Sequence, residues 1–249
     1  MELSELSVVV LETAEAVVMR AMVELETLTR RQPDALVSLA AGETFEPFLA
    51  ALDVEQTAGR IKLDALRFTH HDEFFGFEPT DPGGLAHELL GCPALAKVHA
   101  DGRFLAIPSG GSESILREHE EYVASSGGVQ LQFLGIGGNG NVACCEPGTS
   151  FEFGFHRVEL ADPTQHHIAS RFPVDASIPT EAVTAGPRSI LAAERVVLMA
   201  TGASKAQAVR DMMDGAVEST CPASLLRRHP DAVVLLDSHA AAKLYWPHN

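Results

Sequence analysis

Short apolar, β-branched runs recur along this chain. Each ends in a glycine-containing or polar turn and gives way to a segment of helical spacing, and this alternation constrains the fold more than any other feature. The runs cover residues 6–11, 35–40, 65–70, 129–136, 195–201 and 232–237. After the first, Thr13 offers an N-cap, and Ala16, Val17, Arg20, Ala21, Val23 and Glu24 continue at helical spacing. A helix is expected from the turn at residues 42–44 to about residue 58, another from near Ser204, and a short one after the last run. Repeated β-to-α alternation predicts an α/β fold: a doubly wound, mostly parallel sheet with helices on both faces and right-handed crossovers. With 249 residues, no internal repeat and no Pro-, Gly- or Ser-rich linker, residues 1–249 are expected to form one domain. The least regular stretch, residues 160–180, holds Pro163, Pro173 and Pro179 with His166 and His167. It reads either as a surface lid inserted in that domain or as a static connection with one helix.

Charge and composition remove several classes of function. Eighteen Lys and Arg stand against 34 Asp and Glu, a formal net charge of −16. That argues against general affinity for nucleic acid or an anionic membrane, since both need a cationic surface, but leaves room for a small anionic ligand that sees local charge. Hydrophobic residues make up 46% of the chain, yet no run approaches the roughly 20 apolar residues of a membrane span. Residues 1–5 are acidic and lack the basic flank of an export signal. Cys92, Cys144, Cys145 and Cys221 are too few for a disulfide scaffold and form no CxxC pair, so reduced thiols in a cytoplasm are expected. No helical HxxxH pair points to a metal.

In an open parallel sheet, ligands bind beyond the carboxyl ends of the strands. Four polar turns fall at such ends: residues 41–44 (AGET), 71–73 (HDE), 135–141 (GIGGNGN) and 201–205 (TGASK). All four can converge on one crevice. At Gly42 and Thr44 a strand passes into a helix, where free N–H groups and the helix dipole favour a phosphate. Glu43 fits that reading only with its side chain turned away, and the plain alternative is a βα turn capped by Thr44. Lys205, one of four lysines, stands near a helix N-terminus, where a cation opposes the dipole unless an anion is bound. A surface lysine is the alternative. Asp72 and Glu73 offer a carboxylate that could move a proton beside a carbonyl, or else form a solvated turn. The glycine-rich turn resembles a dinucleotide loop only superficially, because it lies far from the N-terminus and Pro147 interrupts any long helix after it. No organic cofactor is expected. Cys144 and Cys145 read better as small buried packing residues than as nucleophiles.

The segments FTHHDEFFG (68–76), LGIGGNGNVACCEPGTSF (134–151), AGPRSILAAERVVLMATGASKAQAV (185–209) and CPASLLRRHPDAVVLLD (221–237) occur in this order. With them, residues 6–243 resemble glucosamine-6-phosphate deaminases and the related glucosamine/galactosamine-6-phosphate isomerases. The resemblance implies a Rossmann-like fold and a phosphosugar crevice that needs no metal or cofactor. It places phosphate binding on Gly42, Glu43, Thr44, Arg171 and Lys205, with Arg171 on a mobile lid. It implies ring opening, proton transfer between C2 and C1, and replacement of the 2-amino group by water. Asp72 matches the proton-shuttling base, and Glu146 the carboxylate that supports a ring-opening histidine. Asn139 occupies a position that carries Asp or Asn.

Asn141 departs from the pattern, because the family has the ring-opening histidine there and an amide carries no proton in that role near neutral pH. Cys144 and Cys145 likewise replace a Phe-Asn pair. Three readings follow for position 141. Another group (Glu146, His71, His166 or His167) opens the ring, the substrate arrives open-chain, or the site binds without turnover. A sugar-phosphate sensing module and, less well matched, a 6-phosphogluconolactonase are the competing functions. His156 and Val158 fall where allosterically regulated members carry basic residues, so activation of that kind is not expected. The resemblance leaves a homo-oligomer open.

Overall fold

The computed structural model describes residues 6–245. The acidic segment 1–5, on which the expected lack of an export signal rests, lies outside them, as do residues 246–249. The elements run β1 (Ser7–Leu11), α1 (Ala14–Arg31), β2 (Leu36–Leu39), α2 (Glu46–Thr57), β3 (Arg67–His70), β4 (Asp72–Phe74), α3 (Leu85–Leu90), α4 (Pro93–Ala100), β5 (Phe104–Leu105) and α5 (Glu113–Ser125). They continue with β6 (Leu131–Gly135), β7 (His156–Glu159), α6 (Asp162–Ile168), β8 (Glu181–Thr184), α7 (Pro187–Leu191), β9 (Val196–Ala200), α8 (Ala206–Asp214) and β10 (Ala232–Asp237).

Seven strands form one sheet in the order β1-β10-β9-β6-β2-β3-β5, and every pair is parallel. The alternating side chains of its central strands explain why both faces carry helices. In β10, Val233 and Leu235 join the core on one face, while Val234 and Leu236 join the core on the other. β9 divides likewise, with Val197 and Met199 against Val196, Leu198 and Ala200. Helix α1 begins where Thr13 Oγ1 accepts from Ala16 N at 3.2 Å, and it buries Val17, Ala21, Leu25 and Leu28 on one stripe.

Two features differ from the sequence reading. Residues 72–74 are not a solvated turn but strand β4, which pairs antiparallel with β8 in a second sheet ordered β4-β8-β7. The short helix expected after the last strand is a series of turns over residues 238–243, started by Asp237 Oδ1 accepting from Ala240 N at 2.7 Å. The stretch 160–180 contains α6 and a 3-10 turn at Ala169–Arg171.

The strand order creates the crevice. From β2 the chain moves outward to β3 and β5, then returns to place β6 on the other side of β2. The connections leaving β2 and β6 therefore part company, and the gap opens at their carboxyl ends. Among the described residues, no helix is long and apolar enough to cross a membrane.

Candidate active site

A cavity of about 520 Å³ occupies this gap. Of the nine residues singled out from the sequence, Gly42, Glu43, Thr44, Asp72, Asn139, Asn141, Arg171 and Lys205 line it. Glu146 does not, although it accepts hydrogen bonds from two residues that do, Asn139 and Thr164. All four strand-end turns reach this one space.

At one end the chain leaves β2 through Gly42, whose φ of +110° is a left-handed conformation that favours glycine. A Cβ there would lie 3.6 Å from Arg171 Nη2, so the guanidinium rests over the turn. Phe45, not Thr44, is the N-cap of α2, and no side chain caps that helix. Thr44 is thus not the capping residue of an ordinary βα turn. Arg171, in the 3-10 turn after α6, pairs with Glu88 of α3. The other Glu88 carboxylate oxygen accepts from Gly42 N at 2.6 Å. Lys205 comes from the turn after β9. Burial pulls its ammonium below the usual lysine range, and nearby Glu43 works against that shift.

At the other end Asp72 is buried at the start of β4, opposite Thr184 of β8. His70 fixes the backbone there. Its Nδ1–H donates to the Asp72 carbonyl at 2.9 Å, and its Nε2 accepts from Ile107 N at 3.0 Å. Both bonds suit the neutral ring, and burial pulls its pKa down to about 3. His71 is buried too and lowered for the same reason, although Asp72 opposes the shift; its Nε2 lies 3.9 Å from Asp72 Oδ1. Cys144 Sγ lies 3.5 Å from Asp72 Oδ2. Burial, then the Asp72 charge, pushes the Cys144 thiol far above its usual range, so it stays protonated and donates. Cys145 is pushed up to about 12, mainly by burial. Neither thiol is a ready nucleophile.

Glu73, the second member of the acidic pair, faces away from this work. Its carboxylate accepts from Phe74 N (2.8 Å), Leu85 N (2.9 Å) and Ala86 N (2.7 Å), tying β4 to the start of α3. Burial pushes its pKa up to about 7 against those three donors.

The glycine-rich turn after β6 folds on itself. Gly137 N donates to Asn141 O at 2.9 Å, and a Cβ at Gly137 would stand 1.6 Å from Asn141 Oδ1. Asn141 N donates to Asn139 Oδ1 at 3.1 Å, and Asn141 Nδ2 to Ala143 O at 2.9 Å. Glu146 accepts from Asn139 Nδ2 at 2.8 Å and from Thr164 Oγ1 of α6 at 2.5 Å. Glu146 therefore braces the turn against α6. His167 and His71 also line the cavity, whereas His166 does not.

Three residues that shape the site carry little signal in their local sequence. Glu88 sits in an unremarkable LAHELL helix. His70 stands two residues before Asp72 in a His-His pair, which was the available hint. Phe172 follows Arg171 and packs against Phe74 and Phe77, holding the 160–180 stretch onto the cavity wall. Among the described residues, no group of three or more His, Cys, Asp or Glu could hold a metal ion.

Comparison with known proteins shows the family and the fold. Residues 11–235 match the family described as glucosamine-6-phosphate isomerases/6-phosphogluconolactonase. The glucosamine-6-phosphate deaminase of Bacillus velezensis is 35% identical over 217 residues, covering 85% of this chain and 89% of that protein. That of an Arthrobacter species is 33% identical over 249 residues, covering 96% and 93%. A solved structure of a monomeric glucosamine-6-phosphate deaminase superposes with a TM-score of 0.86 at 30% identity, over 96% of this chain and all 100% of that one. The 6-phosphogluconolactonase of Trypanosoma brucei shares the fold, with a TM-score of 0.76 at 18% identity over 98% of this chain and 100% of that one. The chain belongs to the family of glucosamine-6-phosphate isomerases and 6-phosphogluconolactonases.

Proposed function

We propose that this protein is a sugar-phosphate isomerase/deaminase that turns a 2-amino-hexose 6-phosphate into a ketose 6-phosphate and ammonia. One observation carries the reading: Asp72 shares a single cavity with Gly42, Thr44, Arg171 and Lys205. A phosphate held by the latter group presents the sugar chain to the carboxylate. Arg supplies planar multi-donor contacts and Lys a point charge.

The chemistry balances with these groups and water. In the open-chain amino aldose, Asp72 takes the proton from C2 as the C1 oxygen gains one, giving an enolamine. Returning the proton to C1 leaves an imine at C2. Water adds to C2, ammonia leaves, and a ketone remains. Acid–base work of this kind contributes roughly a hundred- to ten-thousand-fold in rate.

Asn139 and Asn141 cannot titrate, so the glycine-rich turn orients the sugar rather than opening its ring. Ring opening falls instead to His167 or His71, the cavity-lining histidines, or the substrate enters already open. We assign residues 160–180 the role of a lid within one 1–249 domain: Arg171 binds phosphate, Phe172 docks the segment and Thr164 contacts Glu146. Four free cysteines support a reducing, cytoplasmic setting.

The test is incubation with glucosamine and galactosamine 6-phosphates, with assay of ammonia and ketose phosphate. Release of both is expected. Neither product from any amino-hexose phosphate, with folded protein, would overturn the reading. The Asn139–Asn141 pair favours a second reading, a binding protein without turnover, which calorimetric binding in the absence of product would support.

A further inference from the structure

Phosphate anchors normally offer uncommitted N–H and guanidinium donors to a dianion. Here two of those donors already serve an internal carboxylate. One Glu88 oxygen accepts from Gly42 N at 2.6 Å, and the other pairs with Arg171 Nη1. Both ion-pair side chains are mostly buried, with 22% of each exposed.

The position of Glu88 is built rather than incidental. Helix α3 starts where the Glu73 carboxylate accepts from Leu85 N and Ala86 N. Ala86 and Leu89 pack into the main core, while Leu85, three positions before Glu88 on the same side of the helix, lines the cavity. Phe172, next to Arg171, packs so tightly on Gly83 that a Cβ there would lie 2.6 Å from its ring. Arg171 is thus held close to Glu88 from both sides. Glu43 adds a second negative charge near Lys205. The two cations of the anchor face two carboxylates, where a bound dianion calls for unopposed positive charge.

We infer that Glu88 is a specificity-determining residue that competes with the substrate phosphate for Gly42 N–H and Arg171. A phosphate monoester enters by displacing the carboxylate from both donors. Glu88 thereby sets the affinity of the anchor and rejects ligands whose anion is too weak to displace it, such as a monoanionic carboxylate. This inference rests on the phosphate role proposed above for Gly42 and Arg171.

The test is calorimetric titration of inorganic phosphate, and separately of glucose 6-phosphate, into the wild type, Glu88→Gln and Glu88→Ala. Neither ligand requires turnover, so the outcome is separable from the deaminase assay. A charged hydrogen-bonded competitor is worth about tenfold or more in affinity, so both variants are expected to bind phosphate about tenfold tighter. Acetate should begin to bind. In an Arg171→Ala background the gain should shrink. Unchanged or weaker phosphate binding in both Glu88 variants would overturn the inference, because it would make Glu88 a brace that positions Arg171. An undiminished gain without Arg171 would also overturn it, by showing a diffuse charge effect. The isosteric Gln variant guards against a folding defect, checked by melting in phosphate-free buffer.

Discussion

The thiol of Cys144 stands 3.5 Å from Oδ2 of Asp72, at the wall of the cavity and within hydrogen-bonding reach of the proposed base. Its raised pKa keeps the hydrogen on sulfur, so it acts as a weak donor to a carboxylate. Cys144→Ala removes that donor and leaves a small void. Turnover (kcat/KM) should fall several-fold, corresponding to about 1 kcal/mol, and Cys144→Ser should recover most of it. Iodoacetamide at pH 8 should label half-exposed Cys221 before Cys144, as peptide mass mapping would show.

Asp72→Asn separates chemistry from binding. The amide keeps the size of the side chain and the backbone pairing with Thr184 but takes no proton. kcat should drop by roughly a hundred- to ten-thousand-fold, while glucose 6-phosphate binding changes little. Turnover within a few-fold of wild type would remove Asp72 from the proton-transfer role.

His70 makes the fold sensitive to acid. Its folded pKa of about 3 lies below the ordinary 6.5 because burial disfavours the cation. Between those values the unfolded chain binds more protons than the folded one, so stability rises with pH across the window and is lost as pH falls from 6.5 toward 3. The slope approaches about 1.4 kcal/mol per pH unit for this one group. His70→Gln, with an amide that can still donate and accept, should flatten the urea-midpoint profile between pH 4 and 6.5. A profile as steep as that of the wild type would assign the acid sensitivity elsewhere.

Strands β2, β9 and β10 were legible because each is a short run buried at every residue. Thr13 announced its helix for the same local reason. What escaped the sequence reading depends on distant partners. Strands β4, β7 and β8 are three or four residues each, and only antiparallel pairing between segments far apart in the chain makes them a sheet. The two-residue strand β5 and the six- and eight-residue helices α3 and α4 are too short to carry a clear periodic signal. The turn residues of the site could be named because glycine, lysine and carboxylate at strand ends are locally unusual. Glu88 could not, since its partners Gly42 and Arg171 lie 46 and 83 residues away.

Regulation by an N-acetylated hexosamine phosphate should be absent. His156 is engaged by the segment just before its strand, with Nδ1–H donating to Gly154 O at 2.9 Å, and Val158 packs against the core that holds Phe74 and Ile168. Neither position carries a Lys or Arg to meet a phosphate. Substrate-saturation curves should be unchanged by the effector; a shift from sigmoidal to hyperbolic would refute this.

Restoring a titratable ring at position 141 tests whether ring opening limits the rate. Asn141 now folds back on Gly137 and Ala143, and Asn139 donates its amide to Glu146. Asn141→His supplies an acid–base group in the turn that Asn139 and Glu146 already brace. With cyclic amino-hexose phosphate, kcat/KM should rise by about tenfold or more, and its pH profile should acquire a new ionisation near the ordinary histidine value of about 6.5. Pre-opened substrate should show neither change. An equal gain on both substrates would place the new ring in the proton transfer at C1 and C2, and no gain on either would mean that His71, His167 or spontaneous opening already keeps pace with Asp72.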